Sequence, residues 1–174
     1  MKQLIATAVA LLSVVFATTA SANLAIGDRA PDFSAQGAQG PTPMTIHLSD
    51  LLKKGPVVLF FFPSVFVGSS GEECHEFADN IDNFRAAGVT VIGMSRDSTD
   101  ALSRFSTDEC AGKIPMASAD INIVTGFDVN DSANFTTRTT YVINSGGIIV
   151  FAADGDIDSN HVQHALAFVQ GMKK

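Results

Sequence analysis

Residues 57–62, VVLFFF, form an unbroken apolar run that stops at Pro63. A run of that length, rich in β-branched and aromatic side chains and closed by a breaker, reads as a strand buried on both faces. After a loop, Ser70-Gly71-Glu72-Glu73 spells a capping box, so a helix is expected to start at Ser70. Cys74, Phe77, Ile81 and Phe84 then recur at helical spacing on one face, and Gly88 ends the helix. The order is buried strand, loop, helix N-terminus. In open α/β sheets, free backbone N–H groups and the helix dipole favour an anion at that junction. A functional site of this chain is expected there.

The remaining pattern alternates. Residues 27–33 have turn and proline character and lead into a short strand, 37–43 read as a loop, 44–47 as a strand and 49–52 as a capped helical turn. Residues 90–95 (TVIGMS) read as a second buried strand, followed by a helix capped by Asp97 or Ser98 that runs to about Glu109. Residues 115–119 are a short extended piece and 122–127 a helical turn. Residues 139–144 and 148–152 are strands joined by Ser145-Gly146-Gly147, a hairpin signal. A last helix starts near Asp158 or Ser159 and carries Val162, Leu166 and Val169 on one face. Strands alternating with helices, then a hairpin and a helix, make an α/β layer fold with a mixed sheet.

Residues 1–22 carry Lys2, an apolar stretch over 4–16 and the small-x-small triplet Ala20-Ser21-Ala22, the pattern of a cleaved signal peptide. The stretch is too short and too Ser/Thr-broken for a comfortable membrane span. Residues 23–174 are left as one domain, exported to the periplasm or secreted. A net charge of −7 argues against nucleic acid or anionic membrane surfaces as partners. There are two cysteines, Cys74 and Cys110, far from a disulfide-rich scaffold, in a compartment where a disulfide could persist. Spacing does not decide whether they pair.

The chain resembles a peroxiredoxin. The similar residues are Ala30-Pro31-Asp32-Phe33, Phe61-Phe62-Pro63, Gly93-Met94-Ser95 with Asp97-Ser98, and Arg138-Thr139-Thr140-Tyr141-Val142-Ile143, spread over almost all of residues 23–174. The resemblance implies a thioredoxin-like α/β three-layer sandwich with a central mixed sheet. It also implies reduction of hydrogen peroxide or organic hydroperoxides by a cysteine thiolate, with a second thiol as reductant and no cofactor. Many members of the family form dimers, which makes a homodimer an expectation here.

The family's site reads Pro-x-x-x-Thr-x-x-Cys with an arginine opening a later strand. On this chain the proline falls on Pro63 and the arginine on Arg138, but Val67 occupies the threonine position and Ser70 the cysteine position. Glu73, Phe77 and Asp79 match the family and hold that register. A hydroxyl is a far weaker acid than a thiol, whose pKa is about 8.5, and ~1 kcal/mol from a helix dipole cannot turn it into an alkoxide. Serine forms no sulfenic acid either. The usual mechanism is not expected to run at Ser70.

Cys74 lies one turn later, displaced from Ser70 by roughly 6 Å along the axis and about 40° around it. It belongs to the apolar stripe, so two readings stand: an inert core cysteine or the redox sulfur. Cys110 is either its resolving partner in a disulfide, as in some family members, or an unpaired small residue. Ser70 reads most simply as an N-cap, and Arg138 as a site residue or as the ion-pair partner of Glu73. His75 beside Glu72 and Glu73, and His161-x-x-His164, read as solvated helix faces; no metal is expected. Two functions remain: a thiol-dependent peroxidase using Cys74, Arg138 and Cys110, or a non-catalytic binding or scaffold descendant.

Overall fold

The computed structural model describes residues 23–131, 133–155 and 160–172. The leader expected over 1–22, and Asp158 and Ser159 as start of the last helix, lie outside them. Seven strands form one mixed sheet in the order β2-β1-β5-β4-β3-β6-β7. They are β1 (Ser34–Gln39), β2 (Thr42–His47), β3 (Val57–Phe61), β4 (Thr90–Ser95), β5 (Met116–Ser118), β6 (Thr139–Ile143) and β7 (Ile149–Asp154). β3 runs parallel to β4 and antiparallel to β6. The six helices among the described residues are α1 (Leu48–Leu52), α2 (Gly68–Asp79), α3 (Ile81–Ala86), α4 (Thr99–Asp108), α5 (Ile121–Gly126) and α6 (His161–Gly171).

The apolar run at residues 57–62 is why the sheet is covered twice. Val58, Phe60 and Phe62 point into one core with α2, α3, α4 and α6. Val57, Leu59 and Phe61 point into the other with α1 and α5. The result is the expected α/β three-layer arrangement. Aromatic rings dominate the first core: Phe60 stacks on Phe77 at 4.3 Å between centroids and Phe62 on Phe105 at 5.1 Å. Full burial of such a side chain contributes roughly 1.5–3 kcal/mol over leaving it in water.

Three local expectations change. Residues 37–43 are not a loop: β1 continues to Gln39 and β2 begins at Thr42, leaving a tight turn at Gly40 and Pro41. Gly37 pairs with Ala117 of the neighbouring antiparallel β5, where a Cβ would lie 2.1 Å from the Met116 carbonyl oxygen. Pro43 is tolerated because β2 is an edge strand. The long helix expected up to Gly88 is broken at Asn80, whose side-chain amide donates to the Glu76 carbonyl at 2.9 Å and closes α2. Finally, α2 starts at Gly68, so Ser70 is inside its first turn and is no N-cap; that position belongs to Val67, which has no side-chain cap.

Candidate active site

The early start of α2 has a cause in the preceding loop. Asp97, just after β4, accepts hydrogen bonds from Ser64 Oγ at 2.9 Å, the Val65 N–H at 2.8 Å and Ser95 Oγ at 2.7 Å. This carboxylate folds the chain sharply after Pro63, and the Ser64 carbonyl then accepts from the Val67 N–H at 3.1 Å. Thr136 Oγ1 donates to the Phe62 carbonyl at 2.5 Å from the other side. Pro63 is half-buried at the mouth of this junction, while Phe66 and Val67 face solvent.

Ser70 is fully buried, and its Oγ has no hydrogen-bond partner. An unsatisfied buried hydroxyl costs about 1–3 kcal/mol, so the polarity of Ser70 does not stabilise this position. Its neighbour Ser69 Oγ accepts from Arg138 Nη2 at 2.9 Å. Arg138, just ahead of β6, also forms an ion pair with Glu73, whose side chain is 1 % exposed. The second carboxylate oxygen of Glu73 lies 2.7 Å from His161 Nε2. Burial and the Arg138 charge push the His161 imidazole below its ordinary range, so at neutral pH it donates from Nε2 as a neutral ring. Glu73 is thus the hub: one buried carboxylate neutralises Arg138 and anchors His161.

The cysteines sit one turn further on. Cys74 and Cys110 are joined in a disulfide with Cα atoms 5.3 Å apart, tying α2 to the segment just after α4. Both residues are 0 % exposed, inside the core with Phe62, Phe77 and Phe105. Constraining a loop across a separation of 36 residues is worth about 4 kcal/mol in the chain-entropy account. Arg138 therefore meets the helix at Ser69 and Glu73, on either side of the buried Ser70, whereas the sulfurs lie in the apolar core.

The histidine expectations divide. His75 is on a solvated face, its Nδ1 3.6 Å from a Glu109 carboxylate oxygen. His164 is exposed, but His161 is buried and belongs to the site, which corrects its assignment to a solvated face. A signal existed: His161 lies four before Ala165, on the edge of the stripe formed by Val162, Leu166 and Val169. Among the described residues no group of three or more His, Cys, Asp or Glu side chains is arranged to hold a metal. No helix among them is long and apolar enough to cross a membrane.

A mixed sheet covered on both faces, with a strand–loop–helix junction and an arginine bonded to the first turns of the helix, is a thioredoxin-like α/β arrangement. The AhpC/TSA family profile matches residues 26–152. The chain is 28% identical over 145 residues to peroxiredoxin Bcp of Escherichia coli K12, covering 79% of this chain and 90% of that one. Among solved structures it is similar to peroxidoxin BcpB of Mycobacterium tuberculosis, with a TM-score of 0.74, 26% identity, and 86% and 98% of the two chains covered. The reduced 2-Cys peroxiredoxin of Plasmodium vivax shares the fold at a TM-score of 0.76 and 19% identity, over 85% of this chain and 96% of that one. The chain belongs to the AhpC/TSA family, the peroxiredoxins.

Proposed function

We propose that the protein is an exported thiol oxidoreductase that reduces hydroperoxides with Cys74, Cys110 acting as resolving thiol. The observation that carries this reading is the pairing of the two sulfurs, the state in which such a cycle ends. In the reduced protein the Cys74 thiolate attacks one peroxide oxygen and the O–O bond breaks. Cys74 becomes a sulfenic acid and the leaving alkoxide takes a proton to give the alcohol, or water from hydrogen peroxide. The Cys110 sulfur then displaces the sulfenic oxygen as water and closes the disulfide. An external dithiol returns both thiols and leaves as its own disulfide. Because both sulfurs are buried, the first turns of α2 must lift for peroxide and reductant to reach them.

A second reading has its own observation. The family's cysteine position holds a buried serine hydroxyl, and the sulfurs present are fully enclosed, which suits a non-catalytic descendant stapled by a structural disulfide. Peroxide consumption by the pre-reduced protein, compared with Cys74→Ser and Cys110→Ser, separates the two. The peroxidase reading expects turnover that Cys74→Ser abolishes, and one stoichiometric disulfide per peroxide consumed. Equal background rates in all three chains would leave the stapled scaffold. Export rests on the leader pattern of residues 1–22, and the mass of the mature secreted chain tests it. Light scattering in both redox states tests the homodimer.

A further inference from the structure

Cys74 lies between two tethered residues. On one side Glu73 is bound to Arg138 and His161; on the other His75 faces Glu109, the residue before Cys110. One turn on, Glu76 Oε1 accepts from Gln163 Nε2 at 2.9 Å, so α6 grips α2 at two positions. Moving the Cys74 backbone outward carries Glu73 with it. That would strand a buried carboxylate, or the arginine it neutralises, in apolar surroundings.

We propose that His161 is a positioning residue whose hydrogen bond to Glu73 holds the Cys74 turn of α2 closed, so that this contact sets how readily the buried sulfur pair meets a reagent from solvent. The proposal rests on the disulfide and the clamp, not on peroxidase chemistry. Of the tethers, His161 is the buried histidine, with burial and the Arg138 charge holding it below its ordinary range. Facing it are Glu73 and Glu76 from α2 and Arg138 from the segment ahead of β6. From α3 and β7, apolar side chains such as Ile81, Phe84 and Phe151 complete the packing around α6. Burial and the Arg138 charge disfavour the imidazolium in the closed state, so the open state binds a proton more readily and acid shifts the balance towards opening.

The rate at which a water-soluble phosphine reduces the Cys74–Cys110 disulfide, read by alkylating the released thiols, tests this without any peroxide. His161→Ala is expected to speed reduction about tenfold, the equivalent of one lost hydrogen bond to a buried charge. His161→Gln keeps a donor for Glu73 and is expected to stay within about twofold of the native chain at pH near 7.5. On acidification towards about pH 5.5 the native chain should pull ahead of His161→Gln, their ratio cancelling the reagent's own titration. Val169→Ala, which loosens α6 without touching the clamp, serves as the stability control. Equal rates in the native, Ala and Gln chains, a native-to-Gln ratio that does not change with pH, or the same acceleration in Val169→Ala would each overturn the proposal. Should His161→Ala fail to fold, the pH dependence of the native-to-Gln ratio decides the matter alone.

Discussion

Two successive turns of α2 divide between them what a thiol peroxidase joins at one point. The first turn has the surroundings: a helix start, an arginine brought by the segment ahead of β6, and a proline at the mouth, but a serine hydroxyl in the middle. The second turn has the sulfur, but places it in a layer of phenylalanines with its partner already bonded. Four residues along a helix separate a buried hydroxyl flanked by the Arg138 contacts from a sulfur in an aromatic core. The comparison teaches that the position of a nucleophile, rather than its presence in the chain, decides what the fold can do.

That contrast can be broken or sharpened by substitution. The largest effect is expected at the hub carboxylate, Glu73, which precedes Cys74 in the second turn. Glu73→Ala leaves Arg138 and His161 without their shared carboxylate and should lower stability by about 3–5 kcal/mol, read by urea unfolding. A loss below about 1 kcal/mol would mean that the cluster is solvated in practice. Next, supplying the missing sulfur tests the pocket directly. Ser70→Cys combined with Val67→Thr should raise peroxide consumption by on the order of a hundredfold and yield a thiol more acidic than the ordinary pKa of about 8.5. No gain in rate would show that the first turn has lost more than its nucleophile.

A smaller effect follows from pH. The His161 pKa in the folded protein is lowered from 6.5, chiefly by burial and then by Arg138. The unfolded chain therefore takes up this proton first on acidification. The stability it represents is complete above the unfolded value of about 6.5 and is lost as pH falls towards the folded value, by up to about 1 kcal/mol between pH 7 and 5.5. His161→Gln should flatten this part of the profile, as measured by melts across that range. The smallest change is expected at Ser70→Ala. Removing an unpartnered buried hydroxyl should leave stability unchanged or raise it by about 1 kcal/mol. A clear loss would mean that Ser70 has a partner in solution.

Much of the fold was legible along the chain. The apolar run at β3, the spacing of β4 and the Ser145-Gly146-Gly147 turn all lie where the pattern places them, because strand burial and turn chemistry are local properties. The misreadings have one physical origin. Gly37 looked like a loop residue but lies in β1 tight against the backbone of the paired β5, and Ser70 looked like a cap until Asp97, 27 positions on, drew the chain into a helix two residues sooner. Tertiary contacts outweighed local preference at both places.

The candidate site shows the same division. Its framework of Pro63, Val67, Ser70, Glu73 and Arg138 could be laid out by resemblance, and the chemical deficiency of Ser70 follows from the acidity of a hydroxyl alone. The convergence of Glu73 with Arg138 across 65 positions and with His161 across 88 could not. Residue order determined which chemical groups this protein has and which segments become strands and helices, since those depend on short-range patterning. Only the packing of α6 and of the segment ahead of β6 against α2 decided that one carboxylate would serve an arginine and a histidine together, and only the tertiary core enclosed both sulfurs. Those outcomes depend on distances between segments, and burial strengthens each pairing by removing the water that would otherwise compete for it.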